Sequence, residues 1–84
     1  MEFDKNFANA GDFASAIGRG GELEFIYDNI NYSVTHHNGK IIVGGYNEEN
    51  WMEYDTPLQA LSYPIGKKRL GDILHDMKVT FRSL

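Results

Sequence analysis

The sequence predicts an α+β fold: an antiparallel four- to five-stranded meander sheet with three short helices packed mainly on one face. Three observations carry this. Residues 22–54 alternate apolar and polar side chains, Asp28-Asn29 and Asn38-Gly39 punctuate that stretch as tight turns, and the flanks show the three-and-four apolar spacing of amphipathic helices. Eighty-four residues predict one domain, spanning 1–84.

The opening segment places Phe3, Phe7, Ala10, Ala14 and Ile17 on one helical face, with Phe13 beside them. Gly11 interrupts that face, and Asp12 is a good N-cap for a shorter helix running to about Ile17. Gly18 suits the position just past its end, and Gly20-Gly21 leads into the first strand. The Gly-Arg-Gly-Gly run reads as a linker. A phosphate-binding loop follows a strand and opens a helix, whereas this run precedes a strand.

Asn-Gly tolerates the positive φ that a two-residue type I′ turn requires at both central positions. Centring the turn on Asn38-Gly39 sets His37 opposite Lys40, Thr35 opposite Ile42, Val34 opposite Val43 and Tyr32 opposite Gly45. A second turn at Asp28-Asn29 independently pairs Tyr27 with Ile30, Phe25 with Tyr32 and Leu23 with Val34. Partners across a ladder share a face. One face therefore collects Leu23, Phe25, Tyr27, Ile30, Tyr32, Val34, Ile41 and Val43. The other collects Glu22, Glu24, Asn31, Ser33, Thr35, His37 and Lys40, with Ile26 and Ile42 as apolar exceptions. The two turns agree on this division, and a one-residue slip in either would destroy it.

A fourth strand follows the polar loop Asn47-Glu48-Glu49-Asn50. It sets Trp51 opposite Tyr46, Met52 opposite Gly45 and Tyr54 opposite Val43. Met52 and Tyr54 then join the apolar face, while Trp51 and Tyr46 land together on the other side near Ile42. Thr56, Pro57 and Gln59 form a capping-box signature for a short helix that Pro64 ends, with Leu58 and Leu61 facing inward. Leu70, Ile73, Leu74 and Met77 fall at i, i+3, i+4 and i+7, predicting a closing helix over 68–77. Gly71 weakens that helix by about 1 kcal/mol, and Lys68 and Arg69 crowd the end where its dipole disfavours cations. Residues 78–82 alternate as an edge strand that Lys78 and Arg82 help to guard.

The residues Gly18-Arg19-Gly20-Gly21-Glu22-Leu23-Glu24-Phe25 resemble a pattern in short, mostly uncharacterised proteins of Gram-positive bacteria and their phages. Tyr32-Ser33-Val34-Thr35-His36, Thr56-Pro57-Leu58, Leu61 and Ile65-Gly66-Lys67, with Leu70, Ile73 and Leu74, match the same pattern. The resemblance implies this architecture and a bacterial or phage origin. It carries no site residues.

Composition narrows the function classes. Roughly 60–65% of the unfolded surface is buried in a chain of this size, and its stability falls at about 4–13 kcal/mol. The chain has no cysteine, which excludes disulfides and thiolate metal sites and suits a cytoplasmic location. It has no bilayer-length apolar run, and Met1-Glu2-Phe3-Asp4-Lys5 does not begin a signal peptide. The net charge of −4 is unevenly spread. Residues 1–63 carry three basic and ten acidic side chains, net −7, and residues 64–84 carry five basic and two acidic, net +3.

No constellation for catalysis, cofactor or metal emerges. His36 and His37 are strand neighbours and point to opposite faces, so they do not converge on one ion. Glu22 and Glu24 lie on one face about 7 Å apart, on a plain hydrated sheet surface with no cleft for acid–base work. The serines lack the glycines of a nucleophile elbow. The exposed face carries Glu22 and Glu24, which repel phosphate, and Lys67-Lys68-Arg69 is a single short basic run, so nucleic acid is not the expected partner.

What remains is protein recognition. Ile26, Ile42, Tyr46 and Trp51 fall on the face opposite the core, and Trp and Tyr are frequent binding hot spots. The expectation is a non-enzymatic interaction protein that binds a protein partner or itself as a homodimer, unless a terminal segment covers that face. The alternative is an acidic phage-type inhibitor whose Glu22, Glu24, Glu48, Glu49, Glu53 and Asp55 imitate nucleic-acid phosphates.

Overall fold

The computed structural model describes residues 7–46 and 51–83. Along the chain run α1 (Ala10–Gly18), β1 (Glu22–Tyr27), β2 (Ile30–His37), β3 (Lys40–Gly45), β4 (Met52–Tyr54), α2 (Pro57–Ala60), β5 (Pro64–Ile65), β6 (Lys68–Arg69) and β7 (Lys78–Ser83). A 3₁₀ turn, Leu70–Asp72, follows β6. Five strands form one antiparallel sheet in the order β4-β3-β2-β1-β7, and β5 and β6 form a separate small hairpin. The α+β fold with a five-stranded antiparallel sheet is as predicted. Two α-helices and a 3₁₀ turn replace the three expected helices.

Both predicted hairpins are observed in register, including Leu23 opposite Val34, Phe25 opposite Tyr32 and Thr35 opposite Ile42. Asp28, Asn29, Asn38 and Gly39 all have positive φ, as a type I′ turn demands. The fourth strand pairs two residues further along than expected. Met52 lies opposite Val43 and Tyr54 opposite Ile41. A two-residue shift preserves the faces, so Met52 and Tyr54 stay on the core side and Trp51 stays opposite. The expected loop at 47–50 lies outside the described residues.

The first helix starts and stops at other residues than predicted. Asn9, not Asp12, is the N-cap, and its side chain accepts from the Asp12 N–H at 2.9 Å. Asp12 in turn accepts from the Ala8 N–H at 2.9 Å, so Asn9 satisfies a donor that the helix start leaves unpaired and Asp12 ties back the residue before the cap. At the other end Gly20, at φ +92°, takes the left-handed position expected of Gly18. Its N–H donates to Ile17 and that of Gly21 to Ala16, which is a Schellman closure.

The second helix keeps its predicted capping box, with Thr56 accepting from the Gln59 N–H and Gln59 accepting from Thr56. Its inward face differs from the expectation: Ala60 is buried and Leu58 is 63% exposed. Leu61 packs against the core as expected, and Ala60 takes the inward place expected of Leu58.

The closing helix is absent. Gly66, at φ +63°, turns the chain into the β5–β6 hairpin instead. The N–H groups of Leu70 and Gly71 then donate to the carbonyls of Tyr63 and Leu61, each at 2.9 Å. A 3₁₀ turn and an isolated turn closed by Met77 N–H on Ile73 follow. Leu70, Ile73, Leu74 and Met77 are nevertheless all buried. The apolar spacing selected the inward residues correctly, and consecutive tight turns satisfy that spacing as well as a helix does.

The fifth strand lies at the edge beside β1 and contains a bulge. Phe25 pairs with Val79 but Glu24 with Phe81, which leaves Thr80 as the extra residue. Parity flips there. Phe81 turns to the face opposite the core, and Arg82 turns inward. The Arg82 guanidinium lies 4.0 Å from the Phe7 ring centroid and 3.6 Å from the Asp12 carboxylate. It ties β7 to the start of α1 and is not the solvent-facing edge guard expected of it.

One hydrophobic cluster joins the inner sheet face (Leu23, Phe25, Val34, Val43) to Phe13 and Ile17 of α1 and to Tyr63, Leu70 and Ile73. Phe25 and Tyr32 stack across β1 and β2 with centroids 5.2 Å apart, and Tyr63 meets Tyr32 edge-on at 6.4 Å.

Candidate interaction surface

Both α-helices and the turns of residues 61–77 contribute their buried side chains to that inner cluster. Among the described residues, none of these elements crosses the opposite face of the sheet, and the alternative of a terminal segment covering it is not seen there. The ladder arranges this open face in rows. One row reads Gly44, Ser33, Glu24, Phe81 from β3 to β7. The row on one side is Glu53, Ile42, Thr35, and the row on the other is Asn31, Ile26, Lys78.

Trp51 and Tyr46 fill the β3–β4 end of this face. A side chain on Gly44 would place its Cβ 2.1 Å from Cδ2 of Trp51, so the indole occupies the space that glycine leaves. Tyr46 lies beside it with ring centroids 6.4 Å apart. The Tyr46 hydroxyl crosses β2 and donates to Glu24 Oε1 at 3.3 Å. Ser33, in the centre of the row, is 3% exposed. Small residues at 44 and 33 form a trough, and the aromatic pair lies along it.

The four predicted contact residues share this face but not the same exposure. Tyr46 is 55% and Trp51 42% exposed, whereas Ile26 and Ile42 are half-buried. Ile42 belongs with the aromatic pair. Ile26 sits across Asn31 from them, nearer β7. A fifth residue, Phe81, is 47% exposed on the same face. Sequence alternation placed it with Val79, because nothing local signals the bulge at Thr80.

Charge on the face is mostly acidic. Glu22, Glu24 and Glu53 point this way, and among the described residues no ion pair involves them. Lys40 pairs with Asp55; the hydrogen bond and charge of that carboxylate raise the Lys40 pKa above its ordinary value. Tyr54, on the core side, is also raised, by burial, with its Ser62 hydrogen bond acting the other way. Glu48 and Glu49 lie outside the described residues.

His36 and His75 tie separate segments together. His36 Nε2 donates to the Gly21 carbonyl at 3.1 Å at the rim of the core, and His75 Nε2 donates to the Ala8 carbonyl at 2.7 Å. His37 is exposed beside the β2–β3 turn. Among the described residues no group of three or more His, Cys, Asp or Glu side chains is placed to hold a metal ion. An open groove of about 310 Å³ lies between residues 8–10 and residues 71–76, away from the aromatic face. Among the described residues no helix is long and apolar enough to cross a membrane.

Comparison of the chain with protein families, with curated proteins and with solved structures gives no match.

Proposed function

We propose that this chain is a small, non-enzymatic, cytoplasmic interaction protein that docks a protein partner, or a second copy of itself, through the open sheet face. One observation carries the reading: Trp51 and Tyr46 lie side by side on that face, 42% and 55% exposed. Large aromatic rings held on a rigid sheet contribute contact area at small entropic cost, and exposed apolar patches mark interaction sites. Ile42 and Ile26 extend the surface, and no small-molecule substrate or cofactor enters the reading.

The test compares Trp51→Ala with the natural chain for solution mass at micromolar concentration and for partner binding. Loss of association with unchanged circular dichroism supports the surface. A folded Trp51→Ala protein that associates as the natural chain does would remove it.

A second reading is favoured by the shared orientation of Glu22, Glu24 and Glu53: a phage-type inhibitor whose carboxylates imitate nucleic-acid phosphates. Association through phosphate mimicry weakens steeply with salt, whereas an apolar contact responds little.

A further inference from the structure

Glu24 sits between the two aromatic parts of the open face. On one side the Tyr46 hydroxyl reaches its Oε1 at 3.3 Å, with Trp51 behind it over Gly44. On the other side Phe81 is its direct cross-strand neighbour on β7. The carboxylate makes no ion pair among the described residues; Glu22 stands two residues away on β1, Glu53 closes the far end of that row on β4, and Lys78 lies in the row on the other side.

We propose that this face receives a basic segment of a protein partner, with an arginine side chain lying over Glu24 between Tyr46 and Phe81. The proposal rests on the interaction reading above and specifies the chemistry of the occupant. A guanidinium matches each component of the site. Its plane stacks on aromatic rings, its donors fit a carboxylate, and it sheds water more readily than an ammonium. The surrounding negative charge steers such a segment and repels acidic ones.

The same arrangement opposes a two-fold contact between copies. Such a contact would lay one acidic face on another, bringing the Glu22, Glu24 and Glu53 carboxylates of the two copies into one interface where like charges repel. A head-to-tail contact with the exposed Lys67-Lys68-Arg69 hairpin of a second copy is the competing occupant.

Trp51 is the single tryptophan, so its emission reports on this face directly. The experiment titrates the full chain with three synthetic peptides of equal length that alternate leucine with arginine, glutamine or glutamate. The expected result is a saturable change in Trp51 emission with the arginine peptide, about tenfold tighter than with the glutamine peptide, and none with the glutamate peptide. Salt weakens the arginine peptide selectively. Glu24→Gln brings the arginine peptide to the level of the glutamine peptide and leaves the latter unchanged.

Equal binding of the arginine and glutamine peptides would overturn the proposal while leaving the apolar surface standing. Absence of binding by all three would sink both. An emission change that follows protein concentration alone, and that Lys68→Glu abolishes, would assign the face to a second copy and overturn the proposal.

Discussion

Trp51 occupies the space above Gly44 where every other amino acid carries its side chain: a Cβ there would stand 2.1 Å from Cδ2 of the indole. Any side chain at residue 44 must therefore displace the indole. Gly44→Ala should expel the indole from the sheet while leaving the β2–β3 hairpin intact. The expected outcome is a red-shifted Trp51 emission and a loss of about 1–3 kcal/mol, the usual cost of overpacking. Fluorescence and urea unfolding of the variant check this, and an unshifted spectrum would show that the indole is not seated there.

Phe25 is fully buried and stacks on Tyr32. Phe25→Ala should cost about 3–5 kcal/mol, a large share of the roughly 4–13 kcal/mol available to a chain this short. Denaturant unfolding should show a sharply lowered midpoint, or no folded baseline at all.

Asn9→Ala removes the acceptor for the Asp12 N–H at the start of α1. About 1 kcal/mol is expected, which in a chain of this size lowers the thermal midpoint by about 4–8 °C. Asp12→Ala should be destabilising too, because Asp12 also accepts from Ala8 and meets Arg82.

Alkali should destabilise the fold. Lys40 and Tyr54 both bind their protons more tightly when folded. A raised folded pKa contributes stability below the unfolded value and loses it as pH climbs through the folded one. The thermal midpoint should therefore fall above about pH 10, the range where Tyr and Lys ordinarily titrate. Tyr54→Phe should show a shallower fall across the same interval in a thermal-melt series.

Thr80 is the extra residue of the β7 bulge. Deleting it should restore one-to-one pairing while Phe81 stays opposite Glu24 and Arg82 opposite Leu23, so both side chains keep their faces and Arg82 keeps its contacts with Phe7 and Asp12. The deletion removes the Thr80 hydroxyl's hydrogen bond to the Glu24 carbonyl, so a loss of only about 1 kcal/mol is expected in urea unfolding, with Phe81 retained on the open face.

The residues from Glu22 to Gly45 determined their own pairing. Their turns are two residues long and demand positive φ, and their side chains alternate with Ile26 and Ile42 as the apolar exceptions. Short loops leave a strand little choice of register, so local chemistry and burial reach the same answer. The helix starting at Thr56 and the identity of the inward residues 70, 73, 74 and 77 were legible for similar reasons.

Tertiary structure decided the remainder. The bulge at Thr80 arises only once β7 lies against β1, and it alone brings Phe81 to the open face and sends Arg82 to Phe7. The turns of residues 70–77 replace a helix because Tyr63 and Leu61 supply distant carbonyls to the N–H groups of Leu70 and Gly71. Apolar spacing specifies which side chains are buried, and long-range hydrogen bonds choose the backbone that buries them.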